Sequence, residues 1–224
     1  RMEVEYDDEF FDARHRYEPS TGELHVGVTP DEIRGGIELD EDAPQFIDLR
    51  LTTAVPVDLD LEFGAARAEL ELGGLRLLGA EIKTGASKSR IIFSSLNPRR
   101  CARFDVVVGG AEFLMEGLGN ARCERIRLTG GAGETVADFT GEWPEGTHTH
   151  ATFRLGVGSL TLRLPDNVGV VVDLTRILAS FEADGFERRG SQYVSHNYDQ
   201  AAAILEIDID TALSAIDVEW VRSR

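Results

Sequence analysis

The sequence predicts an all-β protein, a single-stranded β-helix-like solenoid with a β-rich N-terminal cap. Cys101 recurs as Cys123 within a shared flanking pattern, 22 residues further on. Ile82, Phe104 and Ile126 have the same spacing. Apolar and polar residues alternate within each repeat, which is the period of a strand with one buried face. Glycine-rich turns follow each run, and a fixed period of this length is typical of stacked coils. A β-sandwich with evenly spaced strands is the alternative fold.

Residues 1–50 are predicted to form the cap. Alternation and turn composition define its elements. These are strands at 2–6, 23–28 and 46–51, a turn at 18–22, and an acidic surface loop at 38–42 that ends at Pro44. Because the open end of a solenoid exposes unpaired backbone groups, we expect this region to pack on the first coil.

Residues 51–224 are predicted to form the solenoid domain. Leu160, Leu162 and Leu164 alternate with polar residues, as do the apolar residues of 57–63. Glycine is expected at the corners, because it adopts backbone angles that a Cβ forbids. The expected corners are 64–66, 85–87, 109–111, 130–133 and 156–159. A loop at 141–150 interrupts the coils, and strand pattern resumes at 151–155, 168–174 and 204–210. Residues 211–218 repeat the form of 156–162, and 199–205 has a weak helical pattern.

Composition and charge exclude several classes of partner. The chain has 40 acidic and 23 basic residues and a formal net charge of −17. Nucleic acids and anionic membrane surfaces both require a basic patch, so neither is an expected partner. No run approaches the roughly 20 apolar residues of a membrane-spanning helix. The chain begins Arg1-Met2-Glu3, and we expect an upstream signal or anchor to have been removed.

The two cysteines, Cys101 and Cys123, occupy the same place in successive repeats. Stacked strands lie about 4.8 Å apart, which is within the reach of a disulfide. A disulfide would indicate an oxidising compartment. Two free, buried thiols in a cytoplasmic protein are the alternative.

Two histidines are the candidate metal ligands. His148 and His150 are two residues apart, so on a strand their side chains point the same way. Glu142 or Glu145 from the preceding loop could join them, because zinc accepts imidazole and carboxylate ligands. The spacing places no third ligand, and a solvated edge of loop and strand is the alternative.

Rows of carboxylates are the other candidate sites. Asp58, Asp60 and Glu62 share one strand face, as do Asp208 and Asp210, and such rows could collect calcium. They are more commonly the solvent side of a strand. Glycoside cleavage needs two acids roughly 5 to 9.5 Å apart, and no long loops that would form a cleft are evident. Phosphate-binding and nucleophile-elbow motifs are absent. We therefore predict that the protein is not an enzyme and uses no cofactor.

Several segments share the pattern of one known family. They are 51–61, the turns at 64–66 and 85–87, 117–121, 138–143, 156–159 with 162–165, 183–186, Tyr193, and Asn197-Tyr198. These segments resemble the toast-rack family of bacterial proteins. That family is similar to the C-terminal domain of cell-wall-active antibiotic response proteins and to envelope adhesins. The resemblance implies a β-helix-like stack, often secreted or membrane-anchored, and brings no catalytic residues. One departure is that Ala212 and Leu213 stand where the family tends to have glycine in the last turn.

The expected function is that of a non-catalytic module of the bacterial cell envelope. Its role would be sensing, adhesion, or binding of a protein or cell-wall glycan in cell-wall stress. Homo-oligomers, formed through exposed strand edges, are also expected. The alternative function is a carbohydrate-active enzyme that uses carboxylates on one solenoid face. We expect the protein to be extracytoplasmic, with a cytoplasmic location as the open alternative.

Overall fold

The computed structural model describes residues 2–5, 11–30, 46–64, 66–181 and 184–223. The chain divides into two compact units, Arg1–Thr52 and Thr53–Arg224. Strands account for nearly all regular structure, so the all-β prediction is confirmed. The predicted acidic loop at 38–42 and Pro44 lie outside the described residues. The packing of the N-terminal cap on the first coil stays a prediction.

The first unit contains two antiparallel strand pairs. Its strands are β1 (Met2–Glu5), β2 (Phe11–Glu18), β3 (Glu23–Pro30) and β4 (Phe46–Leu49). β1 pairs with β4, and β2 pairs with β3 around the predicted turn, where the Gly22 amide donates to the Glu18 carbonyl at 2.8 Å. The sequence did not predict β2. Most of its side chains are exposed, so it lacks the alternation of a half-buried strand.

The second unit is a rack of long parallel strands. Its strands are β5 (Pro56–Phe63), β6 (Ala66–Glu71), β7 (Arg76–Ile92), β8 (Cys101–Glu116), β9 (Cys123–Asp138), β10 (His148–Pro165), β11 (Gly169–Phe181), β12 (Phe186–Arg189), β13 (Gln192–Ser195) and β14 (Ile204–Val221). A short helix α1 (Leu118–Ala121) and a 3-10 turn (Tyr198–Gln200) complete it. None of the described helices is long and apolar enough to cross a membrane.

The strand order is sequential except at the C-terminal end. β5 and β6 both pair in parallel with β7, and from β7 to β10 each strand pairs in parallel with the next. The final strand β14 then inserts between β10 and β11, parallel to both. Leu160 of β10 lies opposite Ile216 of β14. The two segments that the sequence analysis found to be alike, 211–218 and 156–162, are therefore neighbours in the sheet. The stack is therefore a solenoid in which the last two long strands, β11 and β14, lie in the reverse of their order in the sequence.

The repeat spacing is less regular than the sequence suggests. Between β8 and β9 it is 22 residues, with Cys101 opposite Cys123. Between β7 and β8, however, Phe104 lies opposite Ala80 and not opposite Ile82. The connection before β8 is two residues longer than the connection before β9. Because a shift of two residues leaves each side chain on the same face, alternation alone does not reveal it.

Each long strand turns a corner near its middle. In β8 the buried residues are Phe104, Val106 and Val108 before the corner, and Phe113 and Met115 after it. The buried positions thus change from even to odd numbers, because the corner residues reset the direction in which side chains point. β7 and β9 show the same change, and in β10 and β14 the buried positions change from odd to even numbers. Both halves of every coil therefore face one interior.

The corners align a column of small residues across the rack. Its members are Gly64, Gly85, Gly109, Gly131, Gly156 and Ala212. Most of these glycines have ordinary φ values, so close approach between coils, and not backbone angle, requires them. A Cβ on Gly131 would lie 2.5 Å from the Gly109 carbonyl oxygen. Ala212 occupies the last place with an exposed side chain, and β14 continues through it without a break.

The interior is apolar and contains two edge-to-face aromatic pairs. Phe93 packs on Phe104 with ring centroids 5.5 Å apart, and Phe139 packs on Phe153 at 6.3 Å. All four rings are almost completely buried. Such pairs stabilise by about 1 kcal/mol each beyond the burial of their area. Neighbouring coils are thus held in a fixed register by side-chain packing as well as by backbone hydrogen bonds.

The connections between coils carry a buried asparagine. The side chain of Asn120 in α1 donates to the Phe93 carbonyl and accepts from the Glu142 amide, both at 2.8 Å. It therefore joins three successive connections. Asn97 is fully buried one coil earlier, and neither of its side-chain polar atoms has a hydrogen-bond partner among the described residues. The sequence predicted neither α1 nor this asparagine bridge.

Candidate functional site

The outward-pointing residues of the first half of each coil form what we call the outer face. Parallel register brings equivalent positions of β5, β7, β8, β9, β10, β14 and β11 into rows. The first row is Asp58, Arg103, Arg125, His150 and Glu206. The second row is Asp60, Glu81, Asp105, Arg127, Thr152, Asp208 and Asp173. The third row is Glu62, Lys83, Val107, Thr129, Arg154, Asp210 and Thr175. Every one of these residues is half-buried or exposed.

The charges on this face are sorted by strand. The cations concentrate on β8, β9 and β10, and we call this group the cationic stripe. Its members are Arg103, Arg125, Arg127 and Arg154. Carboxylates flank the stripe on both sides, on β5 and β7 and on β14 and β11. In a chain with a net charge of −17, the stripe is a local concentration of positive charge.

Two arginines of the stripe are held by carboxylates. Arg127 donates to both oxygens of Asp105, at 2.8 and 3.2 Å, and this hydrogen bonding raises the pKa of Arg127. Arg103 lies 3.6 Å from Asp58, 3.6 Å from Glu81 and 3.7 Å from Asp105. A guanidinium group that donates to both oxygens of a carboxylate is held in a fixed orientation.

The other two arginines of the stripe are free of such partners. Among the described residues, no carboxylate oxygen lies within 4.0 Å of Arg125 or Arg154. Arg125 stands in the same row as Arg103, two residues before Arg127 on β9, and Arg154 lies in register with Asp210 without forming an ion pair with it. Both side chains are exposed. Their guanidinium groups are therefore available to an anionic ligand.

The outward residues of the second half of each coil, which we call the second face, are arranged differently. Lys88 pairs with Glu112 at 2.6 Å, and this pairing lowers the pKa of Glu112. Arg90 pairs with Glu116 at 2.7 Å, and Arg163 donates to Glu219 at 2.8 Å. Such exposed pairs contribute little stability individually. These three cations are neutralised by carboxylates on adjacent strands, whereas Arg67 of β6, in register with Lys88, forms no ion pair among the described residues.

Both candidate histidines lie at the edge of the stripe, but with different partners from those predicted. His148 Nε2 is 3.2 Å from Glu206, and His150 lies between Glu206 at 3.5 Å and Asp208 at 3.1 Å. Glu206 and Asp208 belong to β14, the inserted strand. No ion pair joins either histidine to Glu142 within the described parts of the chain; the Glu142 side chain is exposed. The sequence could not identify these partners, because they are more than 50 residues away.

No metal centre is assembled from these groups. Within the described ranges, no set of three or more histidines, cysteines and acidic residues is arranged to hold a metal ion. The carboxylates Asp58, Asp60 and Glu62 of β5, and Asp208 and Asp210 of β14, lie on the outer face at alternate positions of their strands. They contribute to the acidic flanks of the stripe.

The cysteines lie directly opposite each other. Cys101 and Cys123 begin β8 and β9 with Cα atoms 4.2 Å apart, and their sulfurs are joined as a disulfide. Both residues are buried. The oxidising compartment that such a bond requires stays a prediction.

A shallow depression lies at the corners of β8, β9 and β10. Gly131, Thr135, Leu155 and Ser159 are among the residues that line it. None of its lining residues carries a carboxylate, an imidazole or an amine. It therefore lacks the paired acids that glycoside cleavage needs.

The arginines of the stripe were not among the residues predicted to be functional. A signal was present in the sequence, since residues 122–127 read Arg-Cys-Glu-Arg-Ile-Arg in an otherwise acidic chain. Arg125 and Arg127 alternate with an apolar residue, which places both on one side of a strand. Only the register of β9 with β8 and β10 shows which of these cations are neutralised.

Comparison with known proteins supports the fold and the family. Residues 1–102 match the family described as the N-terminal domain of toast_rack, DUF2154. No curated protein gives a significant match. A crystal structure of a putative cell adhesion protein from Clostridium sporogenes is similar, with a TM-score of 0.51 and 15% sequence identity. The similarity covers 96% of this chain and 80% of that one. At this identity, the likeness shows the fold alone.

Proposed function

Because this chain is a toast-rack family protein, we propose that it is a non-catalytic binding module of the bacterial cell envelope. The outer face binds a protein or glycan partner in this proposal. The observation that carries the proposal is the set of three charged rows on one side of a regular parallel rack. The description of the similar clostridial protein as a putative cell adhesion protein supports the same class of function.

The rack suits binding because its side chains are positioned before a partner arrives. Strands spaced about 4.8 Å apart place each charge at a defined point, and the aromatic pairs of the interior keep the coils in register. A preorganised surface loses less conformational entropy on binding than a set of loops. Charged rows also select partners by complementarity and speed their association.

An extracytoplasmic location is part of the proposal. The cysteine pair between β8 and β9 supports it, because disulfides persist in oxidising compartments. Determination of the thiol content of the protein purified from its native host would test the location. Two free thiols in that material would favour the cytoplasmic alternative.

The binding function is tested first by a thermal-shift screen of the purified chain. The panel contains cell-wall glycan fragments, wall-active antibiotics, calcium and zinc. A ligand that binds only the folded state raises Tm, by an amount that grows with its concentration over Kd. We expect a shift with a glycan fragment. No shift with any member, together with no binding to isolated envelopes, would contradict the proposal.

The alternative function, a carbohydrate-active enzyme, predicts turnover. The same glycan fragments are incubated with the chain, and new reducing ends are measured. We expect none above the rate of a heat-denatured control. Specific turnover would overturn the non-catalytic proposal. Light scattering over a wide concentration range tests the possible homo-oligomer separately, since assembly by mass action depends on concentration.

A further inference from the structure

We propose that the cationic stripe binds a linear anionic glycan whose chain runs parallel to the strands. This inference rests on the proposed binding function and names the ligand class of the same face. It is carried by three features of the outer face: the two free arginines, the acidic flanks, and the absence of phenylalanine, tyrosine and tryptophan from the three rows.

Arg125 and Arg154 supply the free charge. The other arginines of the stripe are held by Asp58, Glu81 or Asp105, whereas these two have no carboxylate within ion-pair distance in the described part of the chain. An unpaired guanidinium offers a planar fork of donors that fits a carboxylate or phosphate. The two free arginines are therefore the main contacts for a ligand, and Arg127 lies between their rows with its guanidinium on Asp105.

The positions of these side chains favour a polymer over a single anion. Arg125 and Arg127 are two residues apart on β9, or about 7 Å along the strand. Arg154 lies one strand over and one row beyond Arg127. The two free arginines thus lie about 13 Å apart along the strand direction. A chain that carries repeated negative charges can contact both of them.

The acidic flanks determine the direction of the ligand. On one side stand Asp58, Asp60 and Glu81, and on the other stand Glu206 and Asp208. A polyanion lying across the strands would meet carboxylates on both sides of the stripe, and like charges repel at these distances. A polyanion lying along β9 avoids both flanks. The stripe therefore accepts one orientation.

The absence of phenylalanine, tyrosine and tryptophan disfavours the competing ligand classes. Single-stranded nucleic acid binds by stacking its bases on aromatic rings in a basic groove. The three rows of the outer face contain no phenylalanine, tyrosine or tryptophan. Neutral sugars also stack on aromatic rings. A glycan with spaced acidic groups is the polymer that fits.

The test compares two double variants that change the net charge equally. Arg125→Glu with Arg154→Glu alters the stripe. Arg67→Glu with Arg188→Glu alters two exposed arginines elsewhere, on β6 and on β12. Circular dichroism and Tm establish that both variants fold. Binding is titrated with oligogalacturonate, which carries carboxylates, and with poly(glycerol phosphate), which carries phosphates. Dextran and single-stranded DNA complete the panel.

We expect wild type to bind at least one of the two glycan-type polyanions and not dextran, with an affinity that falls as salt is added. The stripe variant should bind at least about tenfold more weakly, whereas the control variant should stay within about twofold of wild type. The polyanion that binds more tightly identifies carboxylate or phosphate as the preferred group.

Four results would overturn the inference. These are equal weakening in both variants, tighter binding of single-stranded DNA than of either polyanion, binding of dextran with equal affinity, and no binding of either polyanion. Binding of the protein to isolated envelopes is measured in parallel, because it tests the proposed function independently of the glycan inference. Envelope binding that survives Arg125→Glu with Arg154→Glu leaves the proposed function standing and removes the stripe as its site.

Discussion

Gly131→Ala should destabilise the rack, because the column of corner residues leaves no room for a methyl group at this position. The new Cβ would lie 2.5 Å from the Gly109 carbonyl oxygen, whereas real Cβ atoms almost never approach closer than 3.0 Å. Strands β8 and β9 would have to separate by roughly half an ångström at the corner. Backbone hydrogen bonds hold these two strands on both sides of it.

The expected cost follows from two opposing effects. Overpacking of this kind costs typically about 1–3 kcal/mol. Alanine also restricts the unfolded chain, which stabilises the fold by about 0.4–1 kcal/mol. The net loss for Gly131→Ala should be about 1 kcal/mol. For a unit of this size, that loss lowers Tm by about 2–4 °C.

Gly64→Ala is the matched control. Gly64 is the first member of the same column, and a Cβ there would meet no atom of the described residues within 4 Å. Only the unfolded-state effect remains, so Tm should stay the same or rise slightly. Thermal unfolding followed by circular dichroism compares the two variants with wild type. The close-approach argument is wrong if Gly131→Ala is as stable as wild type, or if both variants lose equal stability.

Three further predictions concern buried and paired polar groups. Asn120→Ala leaves two buried backbone groups without partners and should cost about 3 kcal/mol of unfolding free energy. Asn97→Leu removes a side-chain amide that has no partners among the described residues, so it should cost nothing. Urea unfolding compares the two variants, and a larger loss of stability for Asn97→Leu would contradict this reasoning. Cys101→Ala with Cys123→Ala should lose about 3 kcal/mol of unfolding free energy, the chain-entropy value for such a loop. Dithiothreitol should destabilise wild type by a similar amount, and no effect of it would argue for free thiols. Hydrogen bonds from Arg189 lower the pKa of Asp199 below its ordinary 3.8, so their contribution to stability is present above that pH and is lost as the pH falls through the lower native pKa. NMR titration of the Asp199 carboxyl should show the depressed pKa, and an ordinary value would refute the pairing.

Much of the coil architecture can be predicted from local pattern. Leu160, Leu162 and Leu164 alternate with polar residues in the sequence and are fully buried in β10. The cysteine repeat correctly predicted that Cys101 and Cys123 face each other. These features follow from the period of the strand, which each segment carries in its own residues.

The candidate site could be predicted only in part. Alternation places Arg125 and Arg127 on an outward face, but it does not say which carboxylates stand beside them. The partner of Arg127 is Asp105 on the preceding coil, and the partners of His150 come from β14. Glu142, a candidate ligand from the preceding loop, forms no ion pair with either histidine in the described part of the chain. Nearness in sequence does not imply nearness across a sheet.

The sequence by itself determined the strand content, the side of each strand that is buried, and the positions of the corners. Backbone periodicity and the lack of a Cβ in glycine act locally, so they can be read from one segment at a time. The tertiary structure decided the order of the coils, the insertion of β14 and the pairing of charges. Every strand presents the same alternating pattern to its neighbours, so the choice of neighbour depends on packing across the whole rack. The free cations of the stripe are a consequence of that choice.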